Sequence, residues 1–133
     1  MKVILDVSVA FAVITGSPAS GKFIPILQSA TQVLAPDLFY SEATNAAWKF
    51  HYIEDATPEE AQKLAERVIQ LVDIFVSSES LWQKVLNLAC QIEHPTYNCY
   101  YLILAQEQKA TLLTCDKRLI KVARGLGIST VGP

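Results

Sequence analysis

The sequence predicts an α/β domain whose central sheet is made of short parallel strands covered by helices on both faces. Three observations predict it. Short β-branched runs recur along the chain, each separated from the next by a segment of helical length and pattern, an alternation that calls for helical crossovers and a parallel sheet. The first run, Val3-Ile4-Leu5, is apolar without a break, as expected of a strand buried on both faces. No repeat, low-complexity run or linker interrupts the 133 residues, a length that suits one domain spanning 1–133.

Taken in order, Lys2-Val-Ile-Leu-Asp6 forms the first strand and Asp6 ends it. Val7 to Ile14 reads as a helix, with Asp6 or Ser8 available as its cap. Gly16-Ser-Pro-Ala-Ser-Gly21 is a loop by composition. A short helix over Phe23–Ala30 leads into a second strand, Gln32-Val-Leu-Ala35. Pro36 suits a first-turn position, where its missing N–H is not needed, and is expected to open a long helix reaching Glu54. Thr57-Pro-Glu-Glu60 is a stronger start signal: a Thr cap, Pro at the first position and Glu three residues after the cap. That helix should run to Val72. Ile74-Phe-Val76 is the third strand, and Ser78 or Ser80 caps a helix through Glu93. His94 to Ala105, "HPTYNCYYLILA", is a further helix. Thr111-Leu-Leu-Thr114 is a strand, Asp116 to Arg124 a helix, and Ser129-Thr-Val131 a last strand after the Gly125/Gly127 stop.

At 51% hydrophobic and 18% charged residues, the chain can bury a core without staples. Cys90, Cys99 and Cys115 are an odd number in apolar contexts with no metal-knuckle or redox spacing, so reduced, buried thiols in a cytoplasmic protein are expected. Lys2 is followed at once by a strand-like run broken by Asp6, which is not a signal-peptide pattern. The apolar runs fall short of the roughly 20 residues that span a bilayer, so no membrane role is expected. A formal charge of −2 does not advertise nucleic-acid binding, and any such role must rest on local patches.

Open α/β sheets form their sites at the carboxyl ends of the strands. Asp6 ends the first strand, and Asp116 follows the Thr111–Thr114 strand through Cys115. A third acid, Glu42, lies on the long helix after the second strand and shares its face with Asn45 and Lys49. Each alone has an ordinary use: Asp6 and Asp116 as helix caps, Glu42 as a solvated residue. Together at one sheet edge they would repel unless a cation sat among them. Oxygen donors with no His or Cys nearby favour Mg²⁺ or Mn²⁺ over Zn²⁺.

With those residues the chain resembles the PIN-domain family over nearly its whole length, and within it the VapC-type toxin ribonucleases. The matching segments are "VILDVSVAFAVI" around Asp6, "APDLFYSEATNAAWK" around Glu42, "YNCYYLILAQEQKATLLTCD" through Asp116, and "KRLIKVARGLGI" after it. The resemblance implies a PIN-like three-layer α/β/α sandwich and a metal-dependent endoribonuclease leaving a 5′-phosphate and a 3′-hydroxyl. It also implies a homodimer and a cognate antitoxin that inserts into the active-site groove. The family's pattern carries a fourth acid where this chain has Asn98.

Asn98 is expected to face the acid cluster, where its carbonyl oxygen can bind a metal or a metal's water. Three readings of it stand. A cage of Asp6, Glu42 and Asp116 works with Asn98 as an auxiliary catalytic and metal-site residue. Alternatively the site is degenerate, in a protein that binds RNA or antitoxin without cutting. Or Asn98 is a helix-start amide bonded to backbone.

Ser8 and Thr114 lie beside the acids, where they can bond a phosphate oxygen or serve locally as caps. Lys117, Lys121 and Arg124 share a helical face, and Arg118 adds to the basic run. That stripe is either a solvated surface or a grip on RNA backbone; Lys49 is a further candidate phosphate contact. Tyr97, Tyr100 and Tyr101 are read as core rather than as base-stacking residues. His51 and His94 receive no role. Leu64, Val68, Leu71 and Trp82 fit amphipathic packing, with part of it at a dimer interface.

Overall fold

Val3, Ile4 and Leu5 are all fully buried, and this one run shows how the layers arise. Successive strand side chains point to opposite faces, so Ile4 enters one core while Val3 and Leu5 enter another. A sheet with two apolar faces must be covered on both.

The computed structural model describes residues 1–133. Its five strands are β1 (Lys2–Leu5), β2 (Gln32–Pro36), β3 (Ile74–Val76), β4 (Thr111–Leu113) and β5 (Thr130–Val131). The helices are α1 (Val7–Thr15), α2 (Ser20–Ser29), α3 (Phe39–Glu54), α4 (Pro58–Ile69), α5 (Ser78–Ile92), α6 (Thr96–Gln108) and α7 (Lys117–Gly125). The sheet order is β3-β2-β1-β4-β5 and every pairing is parallel. Phe23, Phe39, Ala43 and Val68, from α2, α3 and α4, pack on the face of Val3 and Leu5. Leu81 and Val85 of α5, Leu102 of α6 and Leu119 of α7 pack on the face of Ile4, Leu34 and Leu112. The fold is the three-layer α/β/α sandwich expected.

Three local expectations need correction. Pro36 ends β2, paired with Val76, and α3 begins only at Phe39. Proline is tolerated at the end of a strand as well as at a helix start, and here the sheet claimed it. The cap of α5 is Ser77, whose hydroxyl accepts from the Glu79 N–H, so neither Ser78 nor Ser80 is the cap. Cys90 is exposed while Cys99 is buried, and all three cysteines are free. The capping box at α4 forms as its sequence requires: Thr57 accepts from Glu60 N–H and the Glu60 carboxylate accepts from Thr57 N–H.

Of the three tyrosines read as core, only Tyr101 is fully buried, and Tyr97 is 69% exposed. On α4 and α5, Val68 is buried but Trp82 is half exposed. No single helix is long and apolar enough to cross a membrane.

Candidate active site

β1 sits between β2 on one side and β4 on the other, so the winding direction reverses at its carboxyl end. Such a switch point leaves a crevice that crossover connections do not fill. The parallel register Leu5↔Leu113 brings the ends of β1 and β4 level, and the ladder continues as Asp6 N–H donates to the Leu113 carbonyl (3.1 Å). Asp6 and the Thr114–Asp116 segment therefore leave the sheet side by side.

Asp6 is the centre of the arrangement. Its Oδ2 accepts from the Ser8 hydroxyl (2.8 Å) and the Thr114 hydroxyl (2.6 Å). The same hydroxyls accept in turn, Ser8 from Cys115 N–H (3.0 Å) and Thr114 from Asp116 N–H (3.1 Å). Burial raises the Asp6 pKa above the usual carboxylate range, against the lowering pull of Thr114, Ser8 and the Val7 N–H, and the Asp116 charge raises it further. Glu42, half-buried on α3, is also raised, first by burial and then by the Asp6 charge, while the hydrogen bond from Tyr101 opposes it. That bond runs from the Tyr101 hydroxyl to Glu42 Oε1 at 2.6 Å. The Cys115 thiol is raised mainly by burial, with a contribution from Asp6.

Asp6 is thus electrostatically coupled to Asp116 on one side and to Glu42 on the other. No group of three or more His, Cys, Asp or Glu side chains stands close enough together to hold a metal ion; the acids stand as two pairs, Asp6 with Asp116 and Asp6 with Glu42. Their donor chemistry fits a hard divalent cation. All are carboxylate oxygens, and Asp6 and Glu42 carry a charge that burial and neighbours disfavour. Glu42 gives only Oε1 to Tyr101, and Asp116 gives only Oδ1 to the N–H groups of Arg118 and Leu119, so each keeps a second oxygen.

This electrostatics sets a pH dependence. A carboxyl whose folded pKa lies above its unfolded one binds protons more tightly when folded, so stability falls as pH rises through the window between them. In chelator, the protein is expected to melt higher at mildly acidic pH than at neutral pH as far as Asp6 and Glu42 contribute, and Mg²⁺ should recover the loss at neutral pH. Thermal melts at both pH values, with and without Mg²⁺, read this directly; a melt that Mg²⁺ leaves unmoved at neutral pH counts against an ion at these acids.

The other expected site residues divide. Asn98 is half-buried, and its amide nitrogen meets His94 Nε2 at 3.2 Å; His94 lies before the helix, which begins at Thr96 and not at His94 as expected. Asn98 makes no hydrogen bond to Asp6, Glu42 or Asp116; the atom engaged is its Nδ2, and the carbonyl oxygen expected to meet a metal or a metal's water is not part of that contact. Thr114 is 0% exposed and its hydroxyl proton is committed to Asp6, so the expected contact with RNA is replaced by a role in holding Asp6. Ser8 does the same from α1, where it also lines a groove of about 240 Å³ with Val7, Phe11 and Lys49. Lys117 and Lys121 line a separate groove together with Arg124, whereas Arg118, exposed, gives its backbone N–H to the Asp116 cap.

Sequence reasoning missed two partners. Tyr101 was read as packing only, yet its hydroxyl holds Glu42. Both residues sit on helices far apart in sequence, so no local spacing could announce the pair. His94 receives no role from the sequence, yet it lies just before α6 and its ring meets the Asn98 amide nitrogen.

The sequence profile of the PIN domain matches residues 3–125. No functionally curated protein matches the sequence. Among solved structures, PAE2754 from Pyrobaculum aerophilum is 20% identical with a TM-score of 0.74, covering 98% of this chain and 83% of that one. VapBC2 from Rickettsia felis, solved bound to a DNA fragment from its promoter, gives 12% identity and a TM-score of 0.69, covering 99% and 98%. At these identities both likenesses are likenesses of fold.

Proposed function

The chain belongs to the PIN-domain family, and from that membership and the acidic edge of its sheet we propose that it is a metal-dependent endoribonuclease, the toxin of a toxin–antitoxin pair. The observation that carries this reading is that Asp6 and Asp116 leave the switch point of a parallel sheet side by side, linked through the Thr114 hydroxyl, with Glu42 near enough to feel the Asp6 charge.

Asp6, Glu42 and Asp116 would hold Mg²⁺ or Mn²⁺, which when bound supplies positive charge against the scissile phosphate and lowers the pKa of an attacking water. Thr114 and Ser8 fix the Asp6 carboxylate by two hydrogen bonds to one oxygen, so its remaining valence has a set direction. Tyr101 fixes Glu42 in the same way and leaves Oε2 to accept a proton from water. Glu42 is only half-buried and keeps an oxygen that no other group engages, which suits it to that task. The water oxygen then bonds to phosphorus, the bond from phosphorus to the 3′-oxygen breaks, and the 3′-oxygen takes a proton from solvent. The products are a 5′-phosphate and a 3′-hydroxyl.

Lys49, which borders the groove beside Ser8, and Lys117 of α7, next to Asp116, would meet phosphates in this reading. Exposed apolar side chains on α3 (Trp48, Tyr52 and Ile53) support a protein partner on that face. Trp48 and Tyr52 stack with ring centroids 4.8 Å apart. In this reading the partner is a small antitoxin, the chain works in the cytoplasm, and a second copy completes a homodimer. The fold likeness to a VapBC2 complex supports the antitoxin.

Incubation of the protein with single-stranded and structured RNA, with Mg²⁺ or Mn²⁺ and then with chelator, tests the activity. Cleavage is expected only with the divalent ion; cleavage that persists in chelator refutes the metal mechanism. One observation favours a second reading, a catalytically weakened RNA- or antitoxin-binding module: the Asn98 amide is engaged by His94 and not by the acids. Asn98→Asp separates the two. Equal or higher cleavage by the variant of an already active protein supports the working site, and cleavage that appears only in the variant supports the weakened module.

A further inference from the structure

Lys22 on α2 and Lys117, Lys121 and Arg124 on α7 converge on one groove of about 400 Å³, with Ile120 and Gly132 at its base. We propose that this groove binds the sugar–phosphate backbone of the RNA strand next to the segment held at the acids. This inference rests on the nuclease reading and extends it to Lys22, which joins the α7 stripe from the far side of the groove and which nothing in the acidic edge requires.

Charge is the first reason. None of the four cations is in an ion pair, and the chain's one ion pair is Lys84–Glu107, elsewhere. In a protein of formal charge −2, four unpaired like charges around one groove repel each other, and a polyanion relieves that repulsion. The second reason is preorganisation. Arg124 Nε donates to the Thr130 hydroxyl at 3.2 Å, which anchors the guanidinium from β5 and leaves its other N–H groups for the paired contact it makes with phosphate.

The lining also says what is not bound. Ile120 is the one large apolar side chain, Gly132 and Pro133 complete the lining, and no acidic or amide side chain is present. Small-molecule pockets are mostly apolar, and base edges are read by acceptors as well as donors. A wall of cations reads backbone and not sequence.

Position supplies the third reason. Asp116 caps α7, and Lys117, Lys121 and Arg124 follow it along one helical face. From residue 117 to 124 the helix rises about 10 Å, so the groove leads away from the acids alongside α7. Gly132 lies directly against Ile120: a Cβ there would stand 2.5 Å from Ile120 Cδ1, the movable end of that side chain, which would shift.

The test is fluorescence anisotropy of a labelled single-stranded oligoribonucleotide in chelator, where binding is read without cleavage, as a function of salt. Lys22→Ala combined with Arg124→Ala removes two phosphate contacts and should flatten the slope of log K against log salt by about 1.4, since each contact on a single strand contributes about 0.7. Both side chains are exposed, and the variant should melt with the native protein. Lys63→Ala, on the exposed side of α4, is expected to leave the slope unchanged. An unaltered slope in the double variant overturns the proposal, as does polyglutamate of matched charge competing as well as RNA, which would assign the groove to acidic peptides. Parallel incubation with Mg²⁺ separates the two readings. Cleavage with an unaltered slope refutes the groove alone, whereas a flattened slope without cleavage by the native protein supports the groove and refutes the nuclease.

Discussion

Asp6→Asn is expected to abolish divalent-dependent RNA cleavage while leaving the protein folded. The side chain is nearly isosteric, so the hydroxyls of Ser8 and Thr114 still have an oxygen to bond. What is lost is the charge that couples Asp116 and Glu42 into one acidic edge. Removing an essential charged member of a catalytic unit costs on the order of a thousandfold or more in rate, so the variant should show no cleavage above background on a denaturing gel. Stability should move the other way. Ionised Asp6 is disfavoured by burial and by its neighbour, so in chelator at neutral pH the variant is expected to melt at or above the native temperature and to gain less from Mg²⁺. An inactive variant that also melts far lower would point to a structural role for Asp6. Undiminished cleavage by a well-folded variant would end the metal proposal.

Tyr101→Ala is expected to give the largest loss of stability of any single change at the site. Tyr101 is 1% exposed among the helices and strands of one core, and truncating a buried aromatic side chain costs about 3–5 kcal/mol through lost transfer energy and the cavity left behind. For a domain of this size that lowers the melting temperature by on the order of 10 °C or more. Tyr101→Phe isolates the hydroxyl. It keeps the ring, loses the bond to Glu42 Oε1, and should cost only about 1 kcal/mol, because half-buried Glu42 can recruit water in its place. Since that bond holds the Glu42 pKa down against burial, its loss should raise the pKa further. The acid limb of the pH–rate profile should then move to higher pH if ionised Glu42 accepts the proton. A limb that stays in place in the Phe variant would remove Glu42 from that role.

Much of this was legible along the chain because it depends on neighbours a few residues away. The Thr57 capping box, the run Val3-Ile4-Leu5 and the acids that follow β1 and β4 are local patterns, and the structure forms each of them. Pro36 was misread because its ring satisfies a helix start and a strand end equally well, and only pairing with Val76 decides between them. Cys90 was misread because an apolar sequence context does not say which helical face a residue occupies.

Asn98 shows the boundary most sharply. Its residue type departs from the family pattern and is visible in the sequence, but its partner is not set by type. The amide nitrogen meets His94, which lies just before the helix that carries Asn98, a contact set by how the chain enters that helix.

By itself, then, the sequence determined the order of strands and helices, the two-faced burial of the sheet and the chemical identity of the acids, all of which follow from short-range periodicity and capping. Only the tertiary structure decided that β1 lies between β2 and β4, that Asp6 is the acid shared by the other two, that Tyr101 holds Glu42, and that Lys22 joins α7 across a groove. Those contacts join residues distant along the chain. They exist because two apolar sheet faces had to be buried at once, a constraint that belongs to the whole fold and to no segment of it.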